Sequence, residues 1–234
     1  MAYIQKLVVT PNATFTYKHY SARYGKKGKR GERIGPTSEQ QRKINMRIAR
    51  HKILWTICWW FRRDDYLLTL TYRRADRPET AQEAAAKAGK ALSKLRRILK
   101  DDGIKLSYML MTERGERGAI HHHVLIKNRF NIGIFFDKRL WEYGGVHHDP
   151  EFMKNTPIIK IAKYFVKGNS DNSEKFFSKS RDLICPKPEV KIIPADTWRE
   201  KPVIKKGYEL WNLAEGVECE RGTIYQEYIM VRRE

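Results

Sequence analysis

The chain has 234 residues, of which 41% are hydrophobic, so it is long enough and apolar enough to fold around a core. It contains 47 Lys and Arg against 27 Asp and Glu, a formal net charge of +20, and this excess favours nucleic acid as a partner over an anionic membrane surface. No apolar run approaches the roughly 18 residues that span a bilayer, and the N-terminal residues lack a signal-peptide pattern, so we expect a cytoplasmic protein.

Two classes of site are excluded because their motifs are missing. The three cysteines, Cys58, Cys185 and Cys219, are far apart and form no CxxC pair, so the sequence predicts neither a zinc ribbon nor a disulfide framework. No GxxxxGK[ST] pattern occurs, so we expect no P-loop ATPase or helicase motor.

A basic arm is predicted near the N-terminus. Residues 24–36 are rich in glycine and basic residues and have no apolar period, which is typical of a flexible arm or loop. This segment is either a solvated linker or a phosphate-contacting arm. In the second case the contacts would come from Lys26, Lys27, Lys29 and Arg30.

An amphipathic helix is predicted from Thr37 to Arg63. Large apolar residues recur near the 3.6-residue period, at Ile44, Ile48, Trp55 and Trp59. Because of this helical spacing, we expect the aromatic cluster to pack in a core rather than to serve as a base-stacking platform.

A strand and a helix follow. "YLLTLTY" (66–72) is short, apolar and β-branched, which is typical of a buried strand. Thr80 and Glu83 then match a capping box, and Gly103 stands just past the end of an apolar face with helical spacing. The segment between Thr80 and Gly103 is therefore predicted to be a helix.

Two further strands and a short helix complete the central pattern. "KLSYMLMTE" (105–113) and "AIHHHVLI" (119–126) are predicted strands, and the residues between them suit a hairpin. The segment 156–168 is predicted to be a helix, with Pro157 in its first turn and Gly168 after its end. This alternation predicts an α+β fold with a central antiparallel sheet and helices packed on it.

The C-terminal region contains two strand candidates, "EVKIIP" (189–194) and "IYQEYIMV" (224–231). The predicted organisation is therefore an arm and helix over residues 1–63, a central domain over 64–186, and an extension packed on the same domain over 187–234.

The three consecutive histidines in the strand 119–126 predict a metal site. Side chains on a strand alternate faces, so His121 and His123 project to one side and can share an ion, whereas His122 points to the other. A hairpin would bring Glu113 beside His121 as a carboxylate ligand. Glu116 is the alternative, but it lies in the turn. Mixed nitrogen and oxygen ligands with open positions suit Mn²⁺ or Mg²⁺.

A second histidine pair and a tyrosine are further candidates. His147 and His148 are rival ligands, but they lie in a predicted loop. Tyr164 and Lys167 stand three residues apart on the last helix, hence on one face, where a neighbouring cation would favour the phenolate as a nucleophile. Lys160, one turn earlier, could also supply that cation. The alternative is an ordinary amphipathic helix with a half-buried tyrosine and solvated lysines.

Three segments in this order resemble the rolling-circle replication initiators of the HUH (His–hydrophobe–His) endonuclease superfamily. They are "LLTLTY" (67–72), "HHH" (121–123) and the YxxK pattern "YFVK" (164–167), and "SKSRDL" (178–183) resembles a stretch that follows the tyrosine helix in phage and plasmid members. One tyrosine after the histidines implies the single-tyrosine type rather than a conjugative relaxase. His122 stands where the family usually has a bulky apolar residue, which favours a less buried strand.

The resemblance implies an HUH/RRM-like palm with N- and C-terminal elaborations, together with a specific reaction. Single-stranded DNA at a replication origin, with a hairpin, would be held by basic residues including Lys160, Lys163 and Arg181. A metal on Glu113, His121 and His123 would polarise the scissile phosphate, and Tyr164 would attack it. The products would be a 5′-phosphotyrosine link and a free 3′-OH, and rejoining would need no ATP. A helicase and polymerase would come from the bacterial host of the phage or plasmid.

Two other functions fit the same residues. The chain could be a non-catalytic basic nucleic-acid-binding protein with structural histidines. It could also be a metal-dependent nuclease that uses activated water, in which case Tyr164 would be incidental.

Overall fold

The computed structural model describes residues 2–21, 24–25, 38–115, 118–136, 140–166, 176–194, 198–218 and 223–233. Within these ranges the helices are α1 (Ser38–Trp60), α2 (Ala81–Asp101), α3 (Pro150–Asn155) and α4 (Ile158–Val166). The strands are β1 (Ala2–Val9), β2 (Ala13–Ser21), β3 (Tyr66–Leu70), β4 (Tyr108–Arg114), β5 (Ile120–Ile126), β6 (Val146–His148), β7 (Phe176–Lys179), β8 (Glu189–Ile193), β9 (Tyr208–Glu218) and β10 (Thr223–Arg232).

The fold class is α+β, as the sequence predicts, with two antiparallel five-stranded sheets. The chain separates into two compact units. One consists of residues 60–184, and the other of residues 1–59 together with 185–234. The three-part division drawn from the sequence stays a prediction. None of the described helices combines the length and the apolar character that a bilayer crossing requires.

The unit formed by residues 60–184 contains the sheet with strand order β6-β3-β5-β4-β7. One face of this sheet carries Leu68, Leu110 and Val124, and these pack with the apolar stripe of α2 in one core. The stripe alternates small and large residues: Ala84, Ala88, Ala91, Leu92, Leu95 and Leu99. Because successive side chains on a strand alternate, the residues between these positions project from the opposite face.

The predicted start and end of α2 are confirmed. The Thr80 hydroxyl accepts a hydrogen bond from the Glu83 backbone N–H (3.1 Å), and the Glu83 carboxylate accepts from the Glu79 N–H (3.2 Å). Two backbone donors at the start of the helix are thereby satisfied. Gly103 follows the last turn with φ of 69°, a left-handed conformation that glycine adopts without a Cβ clash.

The other unit contains the sheet with strand order β8-β1-β2-β10-β9 and the helix α1. The sequence analysis did not predict the strands at residues 2–21. The strand candidates at 189–194 and 224–231 are confirmed as β8 and β10. Two contacts fix α1 against this sheet: His51 Nε2 lies 3.1 Å from Glu227 Oε1, and Asn12 Nδ2 donates to the Cys58 carbonyl (2.7 Å).

The predicted core face of α1 is partly wrong. Trp59 is 40% exposed and Ile48 is 46% exposed, whereas the buried residues near the end of the helix are Leu54, Ile57 and Cys58. The helix therefore buries a stripe rotated away from Ile48 and Trp59. Large aromatic residues at helical spacing do not by themselves decide which side meets the sheet.

A buried carboxylate ties the beginning of β3 to the end of β5. Asp65 is 3% exposed and accepts hydrogen bonds from the backbone N–H of Arg62 (2.7 Å) and of Asn128 (2.9 Å). It also accepts from Lys127 Nζ at 2.7 Å. These contacts fix the ends of two neighbouring strands, both of which contribute side chains to the candidate site described below.

We expect Asp65→Ala to lower the free energy of unfolding by about 3 kcal/mol, because it leaves Lys127 and two backbone donors without their acceptor. Urea denaturation followed by circular dichroism measures this loss. Asp64→Ala is the matched control, since Asp64 is exposed, and we expect it to change stability by less than about 0.5 kcal/mol. Equal losses in the two variants would contradict the anchoring role of Asp65.

Candidate metal centre

The β4–β5 hairpin places the predicted ligands side by side. In its antiparallel register Glu113 lies directly opposite His121, and Met111 lies opposite His123. His121 and His123 therefore share a face with Glu113, and their ring centroids are 4.9 Å apart. The pairing of His121 with His123, expected from strand periodicity, is present in the structure.

The three side chains converge on one point. Glu113 Oε1 lies 3.1 Å from His121 Nε2 and 3.5 Å from His123 Nε2. One ligand atom from each residue falls within 4.8 Å of the other two, which makes this the one such group found in the described part of the chain. Two imidazole nitrogens and one carboxylate oxygen could hold a metal ion and would leave coordination positions open.

The far nitrogen of each imidazole has its own partner. His123 Nδ1 lies 3.1 Å from the Thr69 hydroxyl on β3, and His121 Nδ1 lies 3.4 Å from the Ala119 carbonyl. A proton on Nδ1 leaves the Nε2 lone pair directed at the site, as metal-ligating histidines require. A Cβ at Gly115 would lie 3.3 Å from His121 Cε1, so glycine leaves room for that ring.

Tyr164, in the last turn of α4, contacts the same group. Its hydroxyl donates to Glu113 Oε1 (2.9 Å) and lies 2.7 Å from His123 Nε2, while 41% of the residue is exposed. Burial and the hydrogen bond to the Glu113 carboxylate raise the pKa of this phenol well above its usual value. A cation bound to Glu113 would oppose that effect, because a nearby positive charge favours the phenolate.

His122 occupies the opposite face of the sheet and is fully buried. Its Nε2 lies 2.7 Å from the Tyr72 hydroxyl, and its Nδ1 lies 2.7 Å from the Thr112 hydroxyl. Burial, together with the neighbouring His121 and His123, lowers its pKa to about 3. The expectation of a less buried strand at this position is wrong, because the two hydroxyls satisfy both ring nitrogens inside the core.

The pKa of His122 predicts a loss of stability in mild acid. The unfolded chain binds a proton at this side chain below about pH 6.5, and the folded protein does so only near pH 3. Between pH 7 and pH 5, in the presence of a chelator, the term from His122 should lower the free energy of unfolding by about 2 kcal/mol. His122→Leu should remove that term, so its stability should fall less steeply over this interval. Parallel curves for the two proteins would contradict the prediction.

The rival histidines lie in a strand, not in the predicted loop. β6 pairs with β3 so that His147 lies opposite Thr69 and His148 lies opposite Leu68. His147 thus shares the face of His123, separated from it by β3, and neither His147 nor His148 belongs to the three-residue metal group. The Glu116 alternative lies outside the described residues.

The predicted basic residues are only partly described. On α4, Lys160 is exposed and Lys163 is half-buried, and burial lowers the pKa of Lys163. Arg181 is exposed in the turn after β7. Lys167 and the arm residues Lys26, Lys27, Lys29 and Arg30 lie outside the described residues.

Sequence reasoning missed the hydroxyl partners of the histidines. Thr69, Tyr72 and Thr112 contact His123 and His122 across neighbouring strands. Thr112 could have been paired with His122 from the hairpin alone, because the two residues are directly opposite. Thr69 and Tyr72 required the strand order, which places β3 beside β5.

Comparison with known protein families places the site within a recognised sequence region. Residues 65–169 match a family model described as a replication-associated protein of the ORF2 type, a span that covers a little under half of the chain and contains Glu113, His121, His123 and Tyr164. The match indicates a replication-associated protein. No curated protein and no solved structure matches the chain.

Proposed function

We propose that this replication-associated protein is an initiation endonuclease of the single-tyrosine HUH type, which nicks single-stranded origin DNA and later rejoins the strands in rolling-circle replication. One observation carries the proposal: the Tyr164 hydroxyl lies 2.9 Å from Glu113 Oε1 and 2.7 Å from His123 Nε2. A nucleophile is thus held at the group of side chains best suited to a cation.

The group formed by Glu113, His121 and His123 would hold Mn²⁺ or Mg²⁺. Such an ion supplies Lewis-acid polarisation of the scissile phosphodiester. The donor set fits this role, because it combines one carboxylate with two imidazoles whose Nδ1 atoms already have partners.

Tyr164 performs the covalent step. Its oxygen forms a bond to the phosphorus, the bond from phosphorus to the 3′ oxygen breaks, the phenol proton passes to water, and the departing oxygen takes up a proton. The products are a 5′-phosphotyrosine and a free 3′-OH that can prime synthesis. Attack by a 3′-OH on the phosphotyrosine reverses the exchange, so joining consumes no ATP.

The positive charge of the chain supports a polyanionic substrate. Lys160 and Lys163 lie on the same short helix as Tyr164, and Arg181 is exposed beyond β7. We propose that these residues, Lys167 and the arm residues Lys26, Lys27, Lys29 and Arg30 contact phosphates of an origin hairpin. Host helicase and polymerase would then extend the free 3′-OH in the cytoplasm of the bacterial host.

A library of hairpin-bearing single-stranded oligonucleotides with randomised loops tests the proposal. The protein is incubated with the library and Mn²⁺, and the products are separated on a denaturing gel. We expect a protein–DNA adduct that retains a 3′ label, and a released 5′-labelled fragment that a polymerase can extend. Sequencing of the adduct gives the site.

Two other outcomes would overturn the proposal. Cleavage without an adduct would indicate a nuclease that uses activated water. Binding with neither cleavage nor adduct, across Mn²⁺ and Mg²⁺, would indicate a non-catalytic binding protein.

A further inference from the structure

One face of the sheet formed by β1, β2, β8, β9 and β10 carries a cluster of aromatic rings around a lysine. Tyr3 lies opposite Tyr20 in the β1–β2 pairing, with ring centroids 5.4 Å apart, and the Trp198 ring packs on Tyr3 at 5.3 Å. Lys18 Nζ lies 5.8 Å from the Trp198 ring centroid and 5.5 Å from that of Tyr228. We call these five residues the aromatic face.

A buried glutamine holds Trp198 in place. Gln226 has no exposed surface, and its Nε2 donates to the carbonyls of Arg199 (3.0 Å) and Glu200 (2.9 Å). Its Oε1 accepts from Lys18 Nζ at 2.9 Å. The segment that begins at Trp198 is therefore fixed to the sheet by hydrogen bonds that exclude water, and the ring orientation is set before any ligand arrives.

Lys18 lacks a counter-ion among the described residues. Its contacts there are the Gln226 amide oxygen and the two rings, and no carboxylate of the described chain lies within ion-pair distance of it. The side chain is half-buried, so the ammonium has lost part of its hydration without gaining an opposite charge. An anionic group beside Lys18 would restore that balance.

We propose that the aromatic face binds single-stranded DNA, with bases stacked on its rings and a phosphate beside Lys18. All five side chains are partly exposed rather than buried, so their rings remain accessible. Stacking requires unpaired bases, which a duplex does not offer. The neighbouring segment adds exposed cations, Arg199, Lys201, Lys205 and Lys206, against the single acid Glu200.

The inference rests on the proposed function only in taking single-stranded DNA as the shared ligand. The surface lies in the unit formed by residues 1–59 and 185–234, whereas the metal group and Tyr164 lie in the other unit. Binding at the aromatic face and nicking at Tyr164 can therefore be measured separately.

The test uses full-length protein, a chelator to prevent cleavage, and fluorescently labelled oligo-dT in an anisotropy titration. Trp198→Ala should weaken binding about 5- to 100-fold, since one lost stacking contact has an effect of that size. Trp198→Phe keeps a ring and should stay close to the parent. Lys18→Met should reduce the slope of log K against log salt by about 0.7, the value for one phosphate of a single strand.

Trp59→Ala is the matched control, because Trp59 is an exposed tryptophan on α1 of the same unit. It should bind oligo-dT like the parent. Unchanged affinity and salt dependence in both Trp198→Ala and Lys18→Met would overturn the proposal, as would an equal loss for a duplex of the same length. Failure to form a covalent adduct, with these binding effects intact, would overturn the proposed function and leave this surface standing.

Discussion

Replacement of Tyr164 by phenylalanine is expected to abolish the covalent protein–DNA adduct, with a fall in nicking rate of at least about 10³-fold. The variant removes only the hydroxyl oxygen. It leaves Glu113, His121 and His123 in place, so Mn²⁺ affinity should change little. Nicking is measured on the origin oligonucleotide recovered from the adduct, and metal affinity is measured by calorimetry.

Tyr66→Phe is the matched control for this experiment. Tyr66 lies in the same unit, packs against the α2 core, and donates its hydroxyl hydrogen to Asn128 Oδ1. It should form the adduct at the parent rate. If Tyr164→Phe still forms an adduct, another side chain is the nucleophile and the assignment of Tyr164 is wrong.

Loss of any one of Glu113, His121 and His123 is expected to abolish nicking and to weaken Mn²⁺ binding by more than about 100-fold. Loss of an outer partner of a metal ligand costs about 10- to 100-fold, and loss of a ligand itself should cost more. His121→Ala and His123→Ala should retain most of the salt-dependent DNA binding, because this binding depends on basic residues outside the metal group. Removal of metal from the parent protein by a chelator should stop nicking, and added Mn²⁺ should restore it.

His147→Ala controls for the loss of an imidazole from the same sheet face. His147 lies opposite Thr69 and outside the three-residue group, so its removal should leave Mn²⁺ affinity unchanged. Intact nicking in His121→Ala or His123→Ala would show that the metal assignment is wrong. A loss of Mn²⁺ affinity in His147→Ala would place the ion elsewhere on the face.

Local sequence patterns predicted the part of the site that depends on one hairpin. Strand alternation was enough to pair His121 with His123, and the short connection after Glu113 brought that carboxylate opposite His121. The contact between Thr69 and His123 joins residues far apart in the chain, and it depends on β3 lying beside β5. No local pattern specifies that neighbour.

The same reasoning explains the missed strands at the N-terminus. β1 lies between β2 and β8, and β2 pairs with β10, so the outer partners of both strands come from the C-terminal part of the chain. Strand propensity in residues 2–21 becomes decisive only when these partners are present. The buried His122 was misjudged for a related reason, since its two hydroxyl partners come from different segments of the chain.

The two chemical halves of the site are carried by elements that open at different cost. Glu113, His121 and His123 lie on strands paired on both sides, whereas Tyr164 lies in the last turn of the nine-residue α4. Terminal helical turns separate more easily than the middle of a sheet, because their final carbonyls lack partners within the helix. A tyrosine esterified to a DNA end can therefore swing outward and return while the cation ligands keep their spacing, which suits a reaction that must run once forward and once in reverse.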